Sequence, residues 1–151
     1  MRLTAHALSD TGRVRDNNED SYVLDDSLSF YAVFDGVGGA LAGEIASSMA
    51  AERLLADRRA LESVLGDQGG PGSQGALDRL LQQLDASLCR ASEAIFDRAA
   101  QAQELKGMST TAVAMAATGS RAALAYVGDS RIYLLRKSKL YQLSEDHSLA
   151  W

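Results

Sequence analysis

Apolar and polar positions alternate through MRLTAHAL, and the pattern predicts a first strand over residues 1–8. The acid-rich stretch RVRDNNEDS (13–21) breaks the alternation. SYVLDD then predicts a short strand that closes in a turn at Asp25-Asp26. LSFYAVFDG is rich in aromatic and β-branched residues and predicts a buried strand ending at Asp35. GVGGALAG (36–43) interrupts the chain again. From Glu44 to about Arg59 the spacing turns helical, with Ile45, Met49 and Leu54 near one face and Glu44, Ser48 and Glu52 largely opposite. GDQGGPGSQG (66–75) holds the only proline, Pro71, and predicts a surface loop. A long helix follows from about Ala76 to Leu105, because Leu77, Leu81, Leu84, Leu88, Ala91, Ile95, Ala99 and Ala102 recur at three- and four-residue steps. TTAVAMAAT and AALAYVG predict a hairpin around Gly119-Ser120, and SRIYLLRK and KLYQLSED a second around Lys137-Ser138. Strands, then helices, then strands joined by hairpins indicate an α+β fold with antiparallel sheet, in one domain and without repeats.

Composition narrows the function. The 151 residues suffice for one domain with a real core, and 46% hydrophobic with 23% charged residues is the composition of a globular chain. A formal net charge of −5 argues against a nucleic-acid or anionic-membrane partner, since phosphate binding needs clustered cations. The basic spot from Arg131 to Lys139 reads as a solvated strand face. The single cysteine, Cys89, excludes an internal disulfide; its place in a helical pattern predicts a buried structural thiol. The first ten residues are too polar for a signal peptide, and no apolar run approaches a membrane span. The expectation is a cytoplasmic protein.

Candidate chemistry concentrates in three acidic turns. Asp16, Asn18 and Asp20 alternate like the first ligands of a calcium loop. An EF-hand, however, needs glycine at its sixth position and glutamate at its twelfth, which here are Ser21 and Ser27. Asp35 ends an apolar strand just before Gly36 and Gly38. A carboxylate there can lean into a shared site, and the glycines let backbone approach a ligand. A dinucleotide fingerprint fails at its third glycine, where Leu41 stands. An aspartyl-phosphate mechanism lacks its second aspartate, where Val37 stands. A plain strand-to-helix turn explains the glycines but not the charge. Asp129 follows Gly128 at the end of a third apolar strand. Crowded carboxylates repel unless a cation lies between them, and hard oxygen donors favour Mg²⁺ or Mn²⁺. With only His6 and His147 present and Cys89 far from both, a structural zinc site lacks ligands.

Four stretches in order, TGRVRDNNEDS, VFDGVGGALAGEIAS, MSTTAVA and AYVGDSRIYLLRKSKLYQLSEDHS, resemble the metal-dependent protein phosphatases, the type 2C serine/threonine phosphatases, in their compact bacterial form. Together they span nearly the whole chain. The resemblance implies a four-layer α-β-β-α sandwich of two antiparallel sheets flanked by helices. It implies a binuclear Mn²⁺/Mg²⁺ centre that activates water for in-line attack on a phosphoserine or phosphothreonine of a protein, the product of a Ser/Thr kinase. By position Asp35 would bridge the metals and Gly36 would coordinate through its carbonyl. Asp20 and Glu19 would hold metal-bound waters or a ligand site, Arg15 would clamp the substrate phosphate, and Asp129 would help bind a third, weaker metal. His147 matches a position taken as structural.

Two departures set further expectations. Ala40 and Val37 stand where relatives carry histidines that are candidates for the general acid, so a metal-bound water would take that role and turnover would be low. The family also continues well past the position of Trp151, with further metal-binding aspartates and strands of both sheets. The chain therefore reads as an N-terminal portion of the domain. Its two functional readings are a metal-dependent phosphatase and a non-catalytic binding module that keeps the phosphatase shape.

Overall fold

Phe30, Ala32, Phe34 and Gly36 alternate to one face of a single strand, and that face organises the molecule. The computed structural model describes residues 3–38, 41–65 and 73–147. The strand, β2 (Phe30–Val37), lies between β1 (Asp20–Asp25) and β4 (Ala112–Thr118), and β5 (Arg121–Val127) completes the order β1-β2-β4-β5. The two-residue β3 (Ser109–Thr110) pairs with the end of β2. All pairings are antiparallel. A separate hairpin joins β6 (Tyr133–Arg136) to β7 (Lys139–Gln142). The α+β expectation with antiparallel sheets is met. Both anticipated hairpins form, at Gly119-Ser120 and at Lys137-Ser138, where both turn residues adopt positive φ. β6 and β7 are exposed throughout, in keeping with a solvated basic spot.

Helices α1 (Ala42–Ala56) and α3 (Gln74–Gln101) cover the buried face of the sheet, with α2 (Arg58–Leu65) against α3. Ala32, Ala114, Ala116 and Ala123 keep that face low, so the helices approach it closely, and Phe30, Phe34, Leu54, Leu80 and Leu84 fill the space between. α1 begins two residues before the predicted start, and of its predicted face only Leu54 is fully buried, with Glu44 and Glu52 exposed as expected. Ala42, Gly43, Ala46, Ser47, Ala50, Ala51 and Leu54 are buried, whereas Ile45 and Met49 pack only at the margin. Close packing selects the small residues, which hydrophobic spacing underweights. α3 buries Leu80, Leu84, Ala91 and Ile95 but leaves Leu81 exposed, and it stops at Gln101 where Ala102 turns extended. Cys89 lies on the exposed side of α3, which corrects the expectation of a buried thiol. Of the predicted 66–75 loop, residues 66–72 lie outside the described residues. Ser73 caps α3 by accepting from Ala76 N–H, and Gln74 already belongs to the helix. We expect Phe34→Ala to cost about 3–5 kcal/mol in urea unfolding, because its ring is wholly buried between sheet and helices.

The other face of the sheet corrects two more expectations. β2 is buried on one side only: Val33 is 50% exposed, because helices cover a single face. Residues 3–8 form no strand. They run over this open face and, with Tyr22, Leu24 and Met115, wall a cavity of ≈ 580 Å³. Ala5 N–H donates to the Asp26 carboxylate rather than to a neighbouring strand. Alternation becomes a strand only where a ladder partner exists.

The predicted turn at Asp25-Asp26 is built by Asp25, whose Oδ1 accepts the N–H groups of Ser27 and Leu28 while Arg58 pairs with Oδ2 at 2.9 Å. Burial pushes the Asp25 carboxyl up, but Ser27, Leu28 and Arg58 outweigh it and hold the group below its ordinary value of 3.8. A depressed carboxyl stabilises the fold above its ordinary value and loses that contribution as the pH falls through the folded-state value. Asp25→Asn should therefore flatten the loss of urea stability as the pH drops from about 4 toward 3.

Candidate metal centre

The strand register lines up the acidic turns. Asp20 of β1 stands opposite Asp35 of β2. On the other side, Gly36 pairs with Thr110 and Val33 with Val113, so the intervening register sets Asp35 opposite Thr111. The pairing of Ala112 with Val127 sets Thr111 opposite Gly128, with Asp129 next in the chain. One row across the end of the sheet thus reads Asp20, Asp35, Thr111, Gly128.

Close backbone approach fixes this end. Gly36 N–H donates to the Glu19 carbonyl at 3.0 Å. A Cβ on Gly36 would fall 2.0 Å from the Gly43 carbonyl oxygen and 2.6 Å from that of Glu19, so only glycine lets the first turn of α1 lie on the strand. Glu19 is nearly buried, at 9% exposure. One of its oxygens pairs with the Arg15 guanidinium. The other lies against Gly43, in the first turn of α1, where the helix end favours negative charge. Asn18 accepts from Asp20 N–H at 3.0 Å and donates to Ser9, whose hydroxyl donates to the Asp20 carboxylate at 3.2 Å. The DNNED stretch is therefore a hydrogen-bonded turn that presents Asp20 and Arg15. Asp16 takes no part in the site; it is exposed and outside the cleft.

Asp20, Asp35, Glu19 and Arg15 border a polar cleft of ≈ 370 Å³. Its walls also carry Asp10 and Arg13, which the sequence reading did not select; Arg13 shares the motif of Arg15, two residues on. Burial, then Asp20 and Asp129, push the Asp35 carboxyl above its ordinary range; Arg15 opposes this and Glu19 adds to it. The structure thus brings Arg15, Glu19 and Asp20 together with Asp35 at one cleft, with Gly36 next in the chain and the Asp129 charge felt at Asp35, the residues that the resemblance had named. Like charges directly opposite on a sheet are destabilising, and a dication between them would remove that cost. The donors are hard oxygens, which fit Mg²⁺ or Mn²⁺. Among the described residues no three Asp, Glu, His or Cys side chains close on one point. Water would fill the remaining positions, which these ions readily allow.

His147 stands apart from the carboxylates. Its ring stacks on Tyr126 with centroids 5.3 Å apart, its N–H donates to the Gly128 carbonyl at 3.0 Å, and its Nδ1 accepts from Gly128 N–H at 3.4 Å. It ties the tail of the second hairpin to the turn that carries Asp129, a structural role. Val37 is exposed beside the site, and Ala40 lies outside the described residues. Among the described residues no helix is long and apolar enough to cross a membrane.

Comparison with known proteins identifies the family. The profile of the family PP2C, Protein phosphatase 2C, matches residues 1–150. Serine/threonine protein phosphatase PstP of Mycobacterium tuberculosis is 39% identical over 140 residues, covering 93% of this chain and 24% of that protein. Serine/threonine phosphatase stp of Listeria monocytogenes is 38% identical over 150 residues, covering 97% of this chain and 56% of that protein. The solved catalytic domain of PstP, in complex with 2 manganese ions, superposes with a TM-score of 0.74 at 37% identity over 92% of this chain and 54% of that one. PppA of Pseudomonas aeruginosa superposes at 0.75 with 30% identity, over 93% of this chain and 56% of that one. The chain thus spans at most a little over half the length of these relatives. Fold, motif order and sequence likeness converge on one conclusion: this chain belongs to the protein phosphatase 2C family.

Proposed function

We propose that the chain carries the metal-binding and phosphate-clamping half of a protein serine/threonine phosphatase site. The observation that supports this most is the register that sets Asp20 directly opposite Asp35 beside a cleft that Glu19 and Arg15 also border, a crowding of like charge that a dication would relieve. Asp35 and Asp20, with the Gly36 carbonyl, would hold two Mn²⁺ or Mg²⁺ ions, and Asp129 would serve a third, weaker site. Bound ions of this kind make water acidic enough to attack phosphorus at neutral pH. Glu19 holds Arg15 through their ion pair, and Arg15 faces the cleft as a planar donor for phosphoryl oxygens. The substrates would be phosphoserine or phosphothreonine proteins made by a Ser/Thr kinase, and the setting cytoplasmic.

The test is Mn²⁺-dependent release of phosphate from a phosphothreonine peptide by this chain. Arg15→Ala should raise KM at least about tenfold, as loss of a charge-assisted contact does, with Mn²⁺ affinity unchanged. Equal KM in both proteins would remove Arg15 from the clamp. One observation favours a second reading, a phosphatase-shaped binding module: among the described residues the acids do not close into a complete ligand set. That reading expects phosphopeptide binding without Mn²⁺-dependent turnover.

A further inference from the structure

Thr111 stands in the row between Asp35 and Gly128 and brings a hydroxyl to it. β3 and β4 pair with β2 in a single register, yet the ladder is interrupted at Thr111. The hydrogen bonds show why. In a hydrogen-bonded antiparallel pair, opposite residues exchange both N–H···O=C bonds. Thr111 N–H does donate to the Asp35 carbonyl, at 2.9 Å. The reciprocal bond does not reach the Thr111 carbonyl. Asp35 N–H donates instead to the Thr111 side chain, Oγ1, at 3.1 Å. The Thr110 hydroxyl, with one proton to donate, stands within bonding distance of two carbonyl acceptors, Asp35 at 3.0 Å and Thr111 at 2.9 Å.

The Thr111 hydroxyl also reaches the next strand end. Thr111 Oγ1 lies 2.7 Å from Ser130 Oγ, and the Thr111 methyl sits where a Cβ on Gly128 would fall, 2.7 Å away. Gly128 has φ of +99°, so the Gly128–Ser130 turn is shaped by a glycine and held on both sides by Thr111. A hydroxyl has one donor and two acceptor sites, enough to take Asp35 N–H and still bond Ser130. Thr111 is buried, at 8% exposure, so water does not compete for either bond. Asp35 and Asp129 come from separate hairpins, and Thr111 is the residue bonded to both strand ends.

We infer that Thr111 is a positioning residue whose hydroxyl sets the Asp35 turn and the Asp129 turn in register with each other, so that the weaker cation site at Asp129 is held beside the ions at Asp35. This deepens the reading under Proposed function and rests on it for the cation. A threonine that only packed would need its methyl and shape, which valine supplies. A threonine that positions needs its oxygen, which serine supplies. The pair Thr111→Val and Thr111→Ser therefore separates the two roles.

The experiment follows backbone amides of the full chain by NMR, first without metal and then with added Mg²⁺, a diamagnetic ion whose shifts stay local. In the metal-free protein, Thr111→Val should lower the exchange protection of the Asp35 amide at least about tenfold, as expected when a buried donor loses its acceptor. It should also move the amide signals of Gly128–Ser130, while Thr111→Ser keeps both as in the wild type. Ser130→Ala, which removes only the far end, should move the Gly128–Ser130 signals and leave Asp35 protected. With Mg²⁺, the wild-type Asp35 signal should move first and the Asp129 signal at higher concentration. In Thr111→Val, Asp129 should need about tenfold more Mg²⁺ than in the wild type, the loss typical of an outer partner of a metal ligand. Wild-type protection and signals in Thr111→Val would overturn the inference, as would an equal disturbance in Thr111→Ser. If Mg²⁺ moves neither aspartate signal in the wild type, the cation site at Asp129 falls, and with it the metal reading under Proposed function. The metal-free comparison would still decide whether Thr111 locks the two turns.

Discussion

On the proposed function, Asp35→Asn should abolish Mn²⁺-dependent phosphate release, by more than about 100-fold, since even outer partners of metal ligands cost up to that much. The same substitution should raise the thermal midpoint of the metal-free protein. Both follow from one feature. Burial and the charges of Asp20 and Asp129 push the Asp35 carboxyl above its ordinary range. A carboxyl raised on folding favours the proton: its contribution is present below its ordinary value and is lost as the pH climbs through the folded-state value. At neutral pH the ionised Asp35 therefore strains the metal-free fold, and a neutral amide of equal size relieves it. Thermal unfolding with EDTA at pH 7 checks the sign. A lower midpoint for Asp35→Asn would mean that the carboxylate is compensated within the protein and has no need of a cation. The gain should shrink when the comparison is repeated near pH 3, where the wild-type carboxyl is protonated too.

Gly36→Ala should destabilise the chain by at least about 3 kcal/mol, beyond the usual range for an added methyl, because the clash is with backbone. The new Cβ would fall 2.0 Å from the Gly43 carbonyl oxygen and 2.6 Å from the Glu19 carbonyl oxygen. Neither atom can swing aside as a side chain can. The first turn of α1 would have to lift from β2, taking Gly43 away from Glu19 and so loosening Arg15. Gly12→Ala is the control. Gly12 has open space around it, so only its φ of +76° penalises a side chain, at a cost of about 1 kcal/mol. Urea unfolding of the two variants measures the difference. Equal midpoints would show that α1 does not need to touch the strand end.

Much of the site was legible because its signals are local. Asp35 at the close of an apolar strand, Asp20 after a run of amides, and Asp129 after Gly128 each break a pattern that packing alone would set. The sheet register then aligned them, and register follows from alternation and from the short turns at Asp25-Asp26 and Gly119-Ser120. The pieces that were not legible depend on partners. Residues 3–8 alternate like a strand, but their backbone meets a side chain instead of a ladder. The buried side of α1 is its small-residue side, which no hydrophobic count would choose, because Ala46, Ser47 and Ala50 owe their burial to the low alanine floor of the sheet. Cys89 follows the helical pattern yet faces outward, since only a narrow stripe of α3 reaches the core. Thr111 lay inside a quoted motif, but its role needs the break in the ladder, which spacing does not reveal.

Mn²⁺ binding to the purified chain, with Asp35→Asn alongside, tests the central claim most directly. The loss of the free-ion EPR signal counts bound ions without any substrate. The account predicts saturable binding to the wild type, with a dissociation constant raised at least about 100-fold in Asp35→Asn. Identical titrations for the two proteins, or no saturable binding by the wild type, would contradict it: the carboxylates around Asp35 would then be a charged turn and not a metal centre.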